Sequence, residues 1–148
     1  MQERFETFTV LINRISRNIR KIKNQEMTEY NLRSAHVSCL YYIYSMKKAT
    51  ATDLCERCEE DKATISRALD YLETNGYIAR EVESTKRYKS PIILTDKGNE
   101  VGKKIADKIS GVLDAISGGL TEEERIAFYR NLSIISGCLE AISENGKK

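Results

Sequence analysis

Three clusters in this chain hold residue types that do chemistry. Lys62-Ala63-Thr64-Ile65-Ser66-Arg67 sets two cations and two hydroxyls within six residues. Lys86, Arg87 and Lys89 place three cations in residues 84–90, a stretch without an acid. Cys55-Glu56-Arg57-Cys58 is a CxxC. Cations beside hydroxyls suit hydrogen bonding to phosphates and base edges. A CxxC suits thiolate chemistry or a share of a zinc site. The plain alternative for each is a solvated helix face, a soluble hairpin tip, and two small core residues.

The elements that must position these groups can be read from apolar spacing. Ile65, Ala68, Leu69 and Leu72 fall at i, i+3, i+4 and i+7, one buried stripe of an amphipathic helix over 61–75. Asp61 is its expected N-cap, and Asn75-Gly76 its stop. Lys62, Ala63, Thr64, Ser66, Arg67 and Asp70 lie off that stripe. A short helix containing Leu54, Cys55 and Cys58, with Thr52 expected to cap it, comes before. Short helix, tight turn and second helix make a helix-turn-helix.

After Gly76 the period changes. Residues 77–83 and 88–94 are rich in Tyr, Ile and Val and are predicted to be two strands. A hairpin with the basic tip 84–90, directly after a helix-turn-helix, is a wing whose tip can reach the minor groove or flanking phosphates.

Helices flank this segment on both sides. Phe5, Phe8, Ile12, Ile15, Ile19 and Ile22 form a heptad seam over 1–25, with Arg14, Arg17 and Lys21 opposite. Residues 26–33 connect to a helix capped near Ser34 and carrying Val37, Leu40, Tyr41 and Tyr44, a pattern that ends at Lys47-Lys48-Ala49. Thr95 and Asp96 open a helix with Val101, Ile105, Ile109, Val112 and Ile116 on one face, broken by Ser117-Gly118-Gly119. Thr121 and Glu124 form a capping box before a last helix with Ile126, Tyr129, Leu132, Ile135, Leu139 and Ile142. One winged segment cannot bury all these stripes. A second copy would bury them and supply the two-fold symmetry of paired DNA half-sites.

Composition narrows the class. The 148 residues are 41% hydrophobic and 31% charged, which suits one folded domain. A net charge of +2 means that any nucleic-acid contact must rest on local patches. No apolar run reaches membrane-span length and no signal-peptide pattern opens the chain, so a cytoplasmic protein with four reduced cysteines is expected.

The chain resembles the MarR family of transcriptional regulators. The resemblance is carried by Thr52-Asp53-Leu54-Cys55-Glu56-Arg57-Cys58, Asp61-Lys62-Ala63-Thr64-Ile65-Ser66-Arg67, Leu72-Glu73-Thr74-Asn75-Gly76-Tyr77-Ile78, and Leu94-Thr95-Asp96-Lys97-Gly98. It implies a mainly α fold with a small β-hairpin wing, a winged helix-turn-helix over 34–96, and dimerisation helices over 1–25 and 97–145. It implies a homodimer on a pseudo-palindromic double-stranded operator, with the 61–75 helix in the major groove and the 84–90 tip in the minor groove. DNA contacts are then expected from Lys62, Ala63, Thr64, Ser66, Arg67, Lys86, Arg87 and Lys89. It also implies an effector pocket between the dimer helices and the winged part. Two departures stand out. The wing lacks the Asp that usually precedes its Arg by two residues, and the turn is Glu59-Glu60 where small apolar residues are usual.

Zinc needs about four ligands. Here a single CxxC meets Cys39, Cys138 and the only histidine, His36. Cys55 and Cys58 stand where the family places core residues, so both are expected to be buried, structural and inert, with no metal and no cofactor. His36, early on the second helix, is a candidate for effector contact, its plain alternative being a satisfied structural histidine. No phosphate-binding Gly loop or nucleophile motif is present, so an enzyme is not expected. The expected function is an effector-responsive DNA-binding repressor. The alternatives are a helical dimerisation module that keeps a winged fold without reading DNA, and a redox or metal sensor using Cys55 and Cys58.

Overall fold

The computed structural model describes residues 2–58, 60–80 and 89–146, the side chains of residues 2, 3 and 5 excepted. Six helices and one short ladder follow in order: α1 Gln2–Glu26, α2 Ser34–Met46, α3 Ala51–Cys58, α4 Lys62–Thr74, β1 Ile78–Ala79, β2 Ile93–Leu94, α5 Asp96–Ser117 and α6 Glu122–Asn145. A single 3-10 turn, Thr28–Tyr30, joins α1 to α2. The chain divides into two compact units, one running to Lys108 and one beginning at Ile109.

In the first unit α2 is the hub, packing on α1, α3 and α4. The stripe Ile65, Ala68, Leu69 and Leu72 is buried, together with Met27, Leu32, Leu40, Ile43, Leu54 and Ile105. Burial of side chains this size contributes about 1.5–3 kcal/mol each.

Two helix starts differ from the sequence reading. α3 is capped by Thr50, not Thr52. The Thr50 N–H and hydroxyl both donate to Asp53 Oδ2 at 2.9 Å, and the Asp53 N–H donates back to Thr50 Oγ1 at 3.2 Å. Thr50 has an acid three residues on and Thr52 has Cys55, so only Thr50 can form the reciprocal box. α2 starts after Arg33, whose N–H donates to His36 Nδ1 at 3.0 Å. The Ser34 N–H is taken by Asn24 Oδ1 of α1 at 2.7 Å, a tertiary partner that no local pattern announces.

The strands are also shorter on the return side. β1 and β2 pair antiparallel with Ile78 opposite Leu94 and Ala79 opposite Ile93. Residues 89–92 stay outside the ladder. Pro91 has no N–H to give, and the Ile92 N–H goes to the Ala49 carbonyl at 2.9 Å, which ties this segment to the α2–α3 connection.

Entry into α5 explains the Leu-Thr-x-x-Gly passage. Thr95 Oγ1 accepts from the Gly98 N–H at 3.0 Å, and its hydroxyl lies 2.6 Å from the Gly76 carbonyl, to which it donates. The helix then passes so close to the β1 segment that a Cβ on Gly98 would sit 1.9 Å from the Tyr77 carbonyl oxygen. In the second unit, α6 begins with the expected box: the Thr121 N–H donates to Glu124 Oε2 at 2.8 Å, and the Glu124 N–H to Thr121 Oγ1 at 3.2 Å. No residue of α6 is buried.

Candidate nucleic-acid interface

α4 presents the polar cluster because both its ends are pinned. Asp61 is the N-cap, its Oδ1 accepting from the Thr64 N–H at 2.6 Å. That N–H holds the Asp61 carboxyl below its ordinary value. At the other end Gly76 adopts φ +78°, with the Tyr77 N–H on the Leu72 carbonyl at 2.9 Å and the Gly76 N–H on Glu73 at 3.1 Å. This pair of bonds is a Schellman stop. With the apolar stripe locked inside, Lys62, Ala63, Ser66 and Arg67 are exposed and Thr64 is half-buried. Arg67 Nη2 donates to Thr64 Oγ1 at 3.3 Å, which lays the guanidinium along the first two turns.

The structure brings five of the eight expected contact residues onto this one helix face. Lys89 is exposed on the return segment. Lys86 and Arg87 lie outside the described residues, as does Glu59 of the turn. Its neighbour Glu60 is half-buried.

Several participants were not foreseen. Arg80, just beyond β1, pairs with Glu73 at 3.3 Å and Asp70 at 3.8 Å, so it braces the outer side of α4. A cavity of about 590 Å³ lies there, lined among others by Lys62, Ser66, Asp70, Arg80 and Cys55. The Tyr71 hydroxyl donates to the Asn31 carbonyl at 2.8 Å, and its ring stacks on His36 at 4.2 Å between centroids. His36 therefore joins the start of α2 to the middle of α4. Burial, with Arg33 nearby, pushes its pKa down. A second groove of about 540 Å³, between α1 and the segment entering α2, holds Arg17, Arg20, Lys21 and Arg33. Arg17 and Lys21 came from the polar face of the first heptad seam; Arg20 and Arg33 had no signal of their own.

The cysteines part company. Cys39 is fully buried, whereas Cys55 and Cys58 are half-buried, so the two are not sealed in the core as expected. Cys55 faces the cavity beside α4, and Cys58 meets the Cys39 thiol of α2. No cluster of three metal-ligating side chains occurs among the described residues.

A short helix, a turn, a doubly pinned polar-faced helix and a two-strand ladder define a winged helix-turn-helix protein. Residues 30–87 match the profile of the MarR family. The chain is 30% identical to a MarR-family transcriptional regulator from Silicibacter pomeroyi, over 84% of both chains, with a TM-score of 0.70. It is 24% identical to the HTH-type transcriptional regulator BilQ of Clostridioides difficile, over 95% of each. It shares its fold with MepR of S. aureus in the MepR–DNA complex, at 21% identity and a TM-score of 0.78, over 89% of this chain and 97% of that one. The chain belongs to the MarR family, and it is a transcriptional regulator.

Proposed function

We propose that this regulator is a homodimer that reads a pseudo-palindromic duplex operator, with α4 in the major groove and the 84–90 hairpin at the minor groove or its phosphates. One observation carries the reading: Lys62, Ser66 and Arg67 are exposed together on a helix whose opposite face is locked into the core. The fold-sharing MepR was solved on DNA, which supports the same use of this helix. Residues 34–96 are the reading part, and 1–25 and 97–145 the dimerisation part. The protein acts by occupying DNA and not as an enzyme, most simply as a repressor released by an effector. The cationic groove on α1 is a place where an anionic effector would be held.

The test is an anisotropy titration with DNA flanking its own gene and with random duplex, at several salt concentrations. Tighter binding to the flanking DNA is expected, with log K falling by about 0.9 per phosphate neutralised as log salt rises. Indifference to salt and to sequence would instead make it a dimerisation module with a winged fold.

A further inference from the structure

We propose that Cys39 and Cys58 form a hydroperoxide-reactive thiol pair, Cys58 the attacking sulfur and Cys39 the resolving one, set where α3 leads into the recognition helix. The CxxC spacing points to Cys55 as the partner of Cys58, but the fold chooses otherwise. Cys58 is the last residue of α3 and meets α2, where the Cys39 thiol donates a hydrogen bond to it. Cys55 faces the cavity beside α4.

The surroundings give the two sulfurs different jobs. Cys39 is 0% exposed, so an oxidant does not reach it first. The bond it gives to Cys58, together with burial, keeps it protonated. Cys58 is half-exposed. The hydrogen bond from Cys39 pulls its pKa below the ordinary thiol value, against burial and Glu60, and the Lys23 ammonium adds to the pull. Lys23 is held in place, its Nζ donating to Ser38 Oγ at 2.9 Å. A partly exposed thiolate beside a fixed cation and a second thiol is the arrangement of a reactive cysteine with a resolving partner.

The steps balance. The Cys58 thiolate attacks one oxygen of a hydroperoxide, the O–O bond breaks, and the departing oxygen takes a proton to leave as water or alcohol. Cys58 is then a sulfenic acid. The Cys39 sulfur gives up its proton and attacks Cys58 Sγ, a disulfide forms, and the hydroxyl of the sulfenic acid leaves as water. The two thiols lose two electrons and the peroxide gains them. A disulfide needs its sulfurs at about 2.05 Å, closer than any hydrogen-bonded pair. Cys39 sits in the packed core, so the adjustment falls on the end of α3, three residues before the Asp61 cap of α4. Loss of DNA on oxidation follows, and this last step rests on the DNA-binding reading above.

The experiment exposes the reduced full-length protein to graded hydrogen peroxide, alkylates it, and maps tryptic peptides. Trypsin cuts after Lys48 and Arg57, so Cys39, Cys55 and Cys58 fall on separate peptides. The expected product is a Cys39–Cys58 linked pair, unchanged in Cys55→Ser and absent in Cys58→Ser. Cys39→Ala should stop at a sulfenic acid on Cys58 that dimedone captures, and Lys23→Gln should slow the oxidation several-fold. Since Cys39→Ala disturbs the core, Cys58→Ser, at a half-exposed site, keeps the test decisive. A Cys55–Cys58 link, or a Cys58 oxidised no faster than the exposed Cys138, overturns the proposal. In parallel, oxidised wild type should release flanking DNA and rebind it after dithiothreitol, whereas Cys58→Ser stays bound throughout. If the reduced protein binds no DNA, the DNA reading fails while the peptide map still judges the thiol pair. If the disulfide forms and DNA stays bound, the coupling to α4 is wrong.

Discussion

Arg67 shows how a single side chain is prepared for its task. Its hydrogen bond to Thr64 Oγ1 aligns the guanidinium on the exposed face of α4 before any DNA arrives. Arg67→Ala should therefore cost sequence discrimination, about 1–3 kcal/mol if the contact is to a base edge. Titrations on operator and random duplex measure this, and equal losses on both would mean a phosphate contact alone. His36 carries a different prediction. Burial lowers its folded pKa, and its Nδ1 must stay unprotonated to accept the Arg33 N–H. In the unfolded chain a histidine takes its proton near about pH 6.5. Below that point the unfolded state binds more protons, so stability is full above about pH 6.5 and falls as the pH drops through it. The urea midpoint of the wild type should decline between about pH 7.5 and about pH 5.5. His36→Gln should flatten that decline. His36 is the only histidine, so a slope that survives in the variant would remove this account.

At the scale of elements, the informative feature is how closely the start of α5 passes β1. Thr95 ties three strands of the argument together, since its backbone N–H donates to Tyr77 at 3.1 Å and its side chain serves both Gly76 and Gly98. A methyl group on Gly98 would meet a backbone oxygen, which cannot swing aside as a side chain does. Gly98→Ala should destabilise the protein by about 1–3 kcal/mol, the usual cost of forcing extra volume into a packed site. Chemical denaturation measures the loss. A variant as stable as wild type would show that the α5 entrance can shift freely. The same crossing accounts for why a glycine recurs in that passage of the sequence: the position needs absence of volume, not an unusual backbone angle.

For the whole molecule the exposed apolar rows decide the expected assembly. Ile12, Ile15, Ile19 and Ile22 of α1 are each at least 36% exposed, and Ile126, Ile135, Leu139 and Ile142 of α6 range from 39% to 69%. Rows of this length on a single chain mark an interaction surface, and a second copy satisfies them symmetrically. Sedimentation should show a dimer at micromolar concentration. Ile135→Glu with Leu139→Glu should weaken it at least ten-fold, or about 1.4 kcal/mol, because each copy would bring unpaired carboxylates into the contact. A wild-type monomer at that concentration would sink the dimer reading and the palindromic operator with it.

Periodicity and capping chemistry are local, and what depends on them was legible before any fold was seen. The α4 stripe, its Asp61 cap, its Asn75-Gly76 stop and the Thr121–Glu124 box all arise from residues within one or two turns of one another. The Thr50–Asp53 box was equally local and was passed over for Thr52 two residues later. Long-range pairing could not be read in this way. Asn24 on the start of α2, Tyr71 on Asn31, Arg80 against Glu73, and Cys58 with Cys39 rather than Cys55 each join groups far apart in sequence or on different elements. No spacing rule encodes such partners, because they are chosen by how helices pack once the apolar stripes are buried. The residue types for DNA reading and thiol chemistry were therefore present in the chain, while packing selected which of them meet.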